Sequence, residues 1–113
     1  NTRDHSMFKT RQKIKKAVGE YKKTLLDLGI RVERVILFGS FAKGKPKKDS
    51  DIDLIVISND FKKLNLRKRL EVLGVAAARI MKPIEAKGYT LKEIQNASPA
   101  SFLEEVLGTG VTI

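Results

Sequence analysis

The stretch "LFGSFAKGKPKKDSDIDLIVIS", Leu37 to Ser58, carries two aspartates one residue apart inside one of the most apolar segments of the chain. A strand alternates its side chains, so Asp51 and Asp53 point to the same side. Like charges at that spacing repel and raise each other's pKa unless a cation lies between them. Upstream, Gly39 and Ser40 end the β-branched run "RVERVILF" at a point where a short helix can begin. Glycine lets a phosphate approach the backbone, a helix N-terminus offers free N–H groups, and a serine hydroxyl adds a donor. A triphosphate held there would lie where Mg²⁺ on the aspartates could bridge it, and the paired charges would then have their counter-ion.

Working outward, "TRQKIKKAVGEYKKTLLDLG" places Ile14, Ala17, Val18, Tyr21, Leu25 and Leu28 at helical spacing, with Gly29 as the stop. "RVERVILF" is the first strand, "GSFAKG" a turn with a short helix, "KPKKDS" a loop, and "DIDLIVIS" a second strand continuous enough to be central in a sheet. Leu66, Leu70, Leu73, Ala77 and Ile80 repeat at intervals of four and three, predicting a second long helix that Pro83 terminates. "PIEAKGYT" is a short third strand. "TLKE" is a capping box, with Thr90 as N-cap and Glu93 three residues on. In "SPASFLEEVLG", Ser98 is the expected cap, Pro99 the first helical residue and Gly108 the end, and "VTI" adds an edge strand. Tyr21, Phe38, Phe41, Phe61 and Phe102 are scattered and read as core, while Tyr89 follows Gly88 near the third strand.

The 113 residues fit one domain with one modest core, and 42% hydrophobic with 32% charged residues is a globular composition. Without cysteine there is no disulfide, thiolate metal site or cysteine nucleophile. The only histidine, His5, lies in the polar stretch "NTRDHSMF", and this removes histidine-based catalysis. Residues 1–8 read as a disordered leader or tag remnant with Met7 as the natural start, and residues 9–113 as the single domain. No apolar run reaches membrane-spanning length, so the expectation is a soluble, cytoplasmic protein. Lys and Arg outnumber Asp and Glu by 23 to 13, a formal charge of +10 concentrated in the first helix, in "KGKPKK" and in "FKKLNLRKR". Such a surface attracts polyanions, and it equally describes a solvated lysine-rich face.

A Gly-Ser pair, ten residues, then Asp-x-Asp between two apolar strands resembles the DNA polymerase beta-like nucleotidyltransferase superfamily. "GSFAKGKPKKDSDIDLIV" is most similar to its minimal nucleotidyltransferase branch; the motif spans Val35 to Ile57, and the likeness extends weakly to the C-terminus. The resemblance implies an α/β nucleotidyltransferase fold, with a small mixed sheet of three to four strands packed against helices. It implies transfer of a nucleoside monophosphate, AMP from ATP or another NTP, to a hydroxyl with two Mg²⁺ ions. On the family pattern Gly39 and Ser40 hold the triphosphate, and Asp51 and Asp53 ligate the metals. A third carboxylate on a following strand completes the site and helps activate the hydroxyl. Glu85 in "PIEAKGYT" is the candidate, a glutamate where aspartate is usual; the alternative is a plain surface residue of that strand. Lys43 and the lysines at 45, 47 and 48 either help hold the phosphates or form a solvated loop.

Small members of this branch are similar to antitoxins that pair with a helical HEPN-domain ribonuclease and silence it by adding AMP to a tyrosine. Two other functions remain open at this point. One is a non-catalytic antitoxin or scaffold of the same fold that binds its partner stoichiometrically. The other is a basic nucleic-acid-binding module, although nothing in the chain resembles a recognition helix.

Overall fold

The computed structural model describes residues 2–43, 51–99 and 101–113, with side chains from Thr10 onward. Helix α1 (Thr2–Asp27) leads into strand β1 (Arg34–Phe38), the short helix α2 (Gly39–Ala42) and strand β2 (Ile52–Ile57). A 3-10 turn (Asn59–Lys63) precedes helix α3 (Leu66–Ile80), strand β3 (Ile84–Tyr89) and helices α4 (Leu91–Gln95) and α5 (Phe102–Thr109), and β4 (Val111–Thr112) closes the order. The four strands form one sheet in the order β3-β2-β1-β4. β1 is antiparallel to β2 and β4, while β2 and β3 run parallel, joined through α3. A parallel pair needs such a crossover, which explains why a long helix separates the two strands. Among the described residues no helix is long and apolar enough to cross a membrane.

Both sheet faces are covered, so β2 reads as a near-continuous apolar run. Leu54 and Val56 of β2 and Val35 and Leu37 of β1 pack under α1 and α3 with Val18, Tyr21, Leu25 and Leu73. The Tyr21 hydroxyl, fully buried, donates to the Leu73 carbonyl at 2.8 Å and ties the two long helices together. On the opposite face Ile36, Ile55, Ile57 and Val106 form a smaller cluster, with Tyr89, Leu91, Ile94 and Leu107 packed against it. Asp53 alternates onto this second face.

Several expectations shift in the structure. α1 begins at Thr2 and takes in backbone that the sequence reading sets aside as a leader. The predicted stripe on α3 holds for Leu73, Ala77 and Ile80, which face the core, but fails in the first turns, where Arg69 is buried and Leu66 and Leu70 are 65% and 56% exposed. In those first turns the inward position is taken by Arg69, whose side chain finds hydrogen-bond acceptors there. It donates from Nε to the Phe61 and Leu64 carbonyls at 3.0 Å, and from a terminal nitrogen to the Gly88 carbonyl at 3.3 Å and Glu93 at 2.7 Å. α5 is capped by Ser101, not Ser98, and runs through Gly108 to a cap at Gly110. Ser101 accepts from the Glu104 N–H, and this start places Glu104 and Glu105 in the first turn, where the helix dipole favours negative charge. The Thr90–Glu93 capping box forms as expected.

Candidate active site

The second sheet face has cross-strand rows that follow from the pairing. Phe38 of β1, Asp53 of β2 and Glu85 of β3 are register partners in one row, and Ile36, Ile55 and Lys87 form the row behind it. The apolar cluster fills that second row and the strand ends beyond it, leaving Asp53 and Glu85 at the open end of the face. Asp51 stands exposed just before β2, two residues from Asp53 and so on the same side. The two aspartates and the glutamate named from sequence are thus brought to one end of one face.

The charges feel one another. Burial first, then the negative charges of Glu85 and Asp51, push the Asp53 carboxyl above the usual aspartate range, while the Lys87 ammonium pulls it down. Opposed carboxylates of this kind cost free energy until a cation joins them. Hard oxygen donors are what Mg²⁺ takes, usually with waters and substrate phosphates filling the remaining positions. Among the described residues no three such side chains already close around a single point. The donor set suits a metal in its oxygen chemistry and its unbalanced charge, although its three carboxylates do not converge on one point.

Gly39 adjoins this row for a steric reason beyond phosphate approach. Its φ of +73° lies in the left-handed region, and a Cβ built there would run into the Asp53 carboxylate. Only glycine lets the first residue of α2 pass over Asp53. Ser40 follows it, half-buried, and Phe38 at the N-cap position makes no side-chain cap bond, so no side chain of the cap covers the first N–H groups of α2. Lys43 is exposed at the other end of α2, its N–H bonded to the Gly39 carbonyl at 3.2 Å. The lysines at 45, 47 and 48 lie outside the described residues.

Sequence reasoning overlooks two side chains here. Lys87 sits one row behind Glu85 on the same face, with its ammonium 4.3 Å from the centroid of the Phe102 ring. Phe102, expected in the core, is 47% exposed and meets Phe38 edge-on with the ring centroids 5.7 Å apart. The signal for Lys87 is its i+2 spacing from Glu85 on a strand; for Phe102 no local signal exists. Tyr89 lies a further row back, against the apolar cluster and away from the carboxylate end.

The profile of the "Nucleotidyltransferase domain" family matches residues 11–106. Two proteins of Methanocaldococcus jannaschii are similar along most of their length. "Putative protein adenylyltransferase MJ0141" is 29% identical over 103 residues, 85% of this chain and 94% of that protein. "Putative protein adenylyltransferase MJ1379" is 31% identical over 95 residues, 78% of this chain and 94% of that protein. In shape, the chain resembles a Sulfolobus solfataricus crystal structure described as a "putative nucleotidyltransferase", with a TM-score of 0.61 and 18% identity over 99% of this chain and 86% of that one. It also resembles a chain of a toxin-antitoxin crystal structure with AMP-PNP, at a TM-score of 0.56 and 24% identity over 80% of this chain and 66% of that one. With its mixed sheet, its Gly-Ser turn against Asp53 and a family match across most of its length, the chain belongs to the nucleotidyltransferase domain family as a minimal nucleotidyltransferase.

Proposed function

We propose that this protein transfers AMP from ATP to a hydroxyl on a partner protein, with Asp51, Asp53 and Glu85 holding two Mg²⁺ ions. The observation that carries the reading is the register pairing of Asp53 with Glu85 on parallel strands, beside a glycine that the Asp53 carboxylate requires. Similarity to two proteins named as protein adenylyltransferases supports ATP as donor and a protein as acceptor. The toxin-antitoxin neighbour is in keeping with a toxin as the partner, and the family resemblance of the sequence makes a tyrosine of a helical HEPN-domain toxin the proposed acceptor.

Bound Mg²⁺ supplies neutralisation of the phosphates and of the leaving pyrophosphate. The chain's own residues do the positioning. Gly39 and Ser40 offer a close backbone approach and a hydroxyl to the triphosphate. Asp53 holds its charge toward that approach from a strand packed on both faces, so its placement is rigid, and Asp51 joins it from the position just before that strand. Glu85 stands beside Asp53 as the base for the acceptor hydroxyl. Lys43 is an accessory phosphate contact at the end of α2.

Calorimetry of ATP with and without Mg²⁺, on wild type and Asp51→Asn/Asp53→Asn, tests the site. Binding that needs both metal and aspartates is expected; binding indifferent to either sinks the proposal. A second reading, a stoichiometric antitoxin without turnover, draws on the carboxylates not closing around one point among the described residues. Glu85→Gln separates the two: it abolishes AMP transfer in the first and leaves partner inhibition intact in the second.

A further inference from the structure

Phe102 is the first residue of α5, directly after the Ser101 cap. It reaches Phe38 in the carboxylate row of β1 and Lys87 in the next row of β3. Those two strands flank β2, so the ring lies across β2 at the level of Asp53 and Ile55. Unlike the covered rings of Tyr21 and Phe61, nearly half of Phe102 is open, and it is open beside the carboxylate row. Two contacts orient it, a T-shaped one with Phe38 and the Lys87 ammonium over one face. An oriented, half-open aromatic ring beside a triphosphate-binding turn suits a planar, π-rich ligand. A base stacked on such a ring gains on the order of 1–3 kcal/mol, and a purine presents more area than a pyrimidine.

We propose that the open surface of Phe102, backed by Lys87 and Phe38, is where the purine base of the nucleotide stacks, so that α5 sets the preference for a purine donor. This rests on the nucleotidyltransferase reading of the carboxylate end. Lys87 serves as a positioning residue: it orients the ring and places a positive charge one row behind the carboxylates.

The test is calorimetric binding of ATP, UTP and inorganic tripolyphosphate, each with Mg²⁺, to wild type, Phe102→Leu, Phe102→Trp and Asp51→Asn/Asp53→Asn. Thermal melts establish that each variant is folded. In the expected result Phe102→Leu weakens ATP about tenfold and UTP by less, leaves tripolyphosphate within about twofold, and Phe102→Trp restores ATP binding. If ATP and tripolyphosphate weaken together, or ATP is unchanged, the stacking role is overturned. Loss of AMP transfer to a protein acceptor with ATP affinity intact also overturns it and assigns the ring to the acceptor. The underlying reading fails in a different way, through ATP binding that survives Asp51→Asn/Asp53→Asn, whatever Phe102 does.

Discussion

Asp53 and Glu85 stand opposite one another on parallel strands, with Asp51 two residues back on the same side. Burial and these two negative neighbours raise the Asp53 pKa. The folded chain therefore holds that proton more tightly than the unfolded chain, and raising the pH from the ordinary aspartate value, about 3.9, through the raised folded value removes stability. Asp53→Asn is expected to raise the melting temperature at pH 7 without metal, and the advantage should shrink toward pH 4. Mg²⁺ should raise the melting temperature of wild type and not of the variant. Thermal melts at the two pH values, with and without Mg²⁺, check both; a variant that melts below wild type at pH 7 refutes the charge argument.

Gly39→Ala combines a left-handed backbone with a collision against Asp53. The backbone term alone is about 1 kcal/mol. The expected pattern is a modest fall in stability with loss of Mg²⁺-dependent ATP binding, since relief requires the Asp53 carboxylate to move. Ser40→Ala, which removes only a hydroxyl, should leave stability unchanged. Denaturant melts beside calorimetry separate the two.

Arg69 is buried and bonds the Phe61, Leu64 and Gly88 carbonyls and the Glu93 carboxylate. Arg69→Met keeps bulk and leaves those acceptors unpaired, at an expected cost of about 2–4 kcal/mol, the half-open Glu93 side chain keeping it moderate. Burial pushes Glu93 up, but the Thr90 N–H and the Arg69 bond and charge outweigh it and hold it below the usual range. That contribution is present above the ordinary glutamate value, about 4.3, and is lost as pH falls through the depressed folded value. The gap between wild type and Arg69→Met should therefore narrow in acid, which denaturant titrations at pH 7 and pH 3 would show.

A Cβ on Gly88 would stand 2.7 Å from the Phe61 ring, which is fully buried. Gly88→Ala is expected to cost about 1–3 kcal/mol by overpacking. Adding Phe61→Leu should recover part of it, so a double-mutant cycle would return a favourable coupling. Additive losses would show that the two residues do not compete for space.

What was legible in the sequence is what is local. Alternation put Asp53 on the face opposite the main core, with Asp51 near enough to raise its pKa, and the Thr90–Glu93 box needed only its own four residues. The place of Glu85 was anticipated, but its level beside Asp53 is set by the parallel register of segments separated by α3. Arg69 looked like one more cation in a basic run, because three carbonyls converge on it only after the 3-10 turn, α3 and β3 have packed. Leu66 and Leu70 left the core for the same reason. Phe102 looked like core because its exposure depends on how α5 seats over the sheet, which composition does not record.

Glu85 lies on the outermost strand, paired with β2 on one side. Arg69 fastens that strand at Gly88, and at the Glu85 end the Ile52 N–H bonds the Pro83 carbonyl at 2.7 Å. As an edge strand bonded to a neighbour on one side only, β3 is expected to open before β2, visible as faster amide exchange in β3 than in β2. The opened molecule keeps Gly39 and both aspartates and loses its third carboxylate. Whatever settles along the free edge of β3 suppresses that opening and raises the fraction of molecules with a complete site, so a protein bound there would tune catalysis without ever touching the nucleotide.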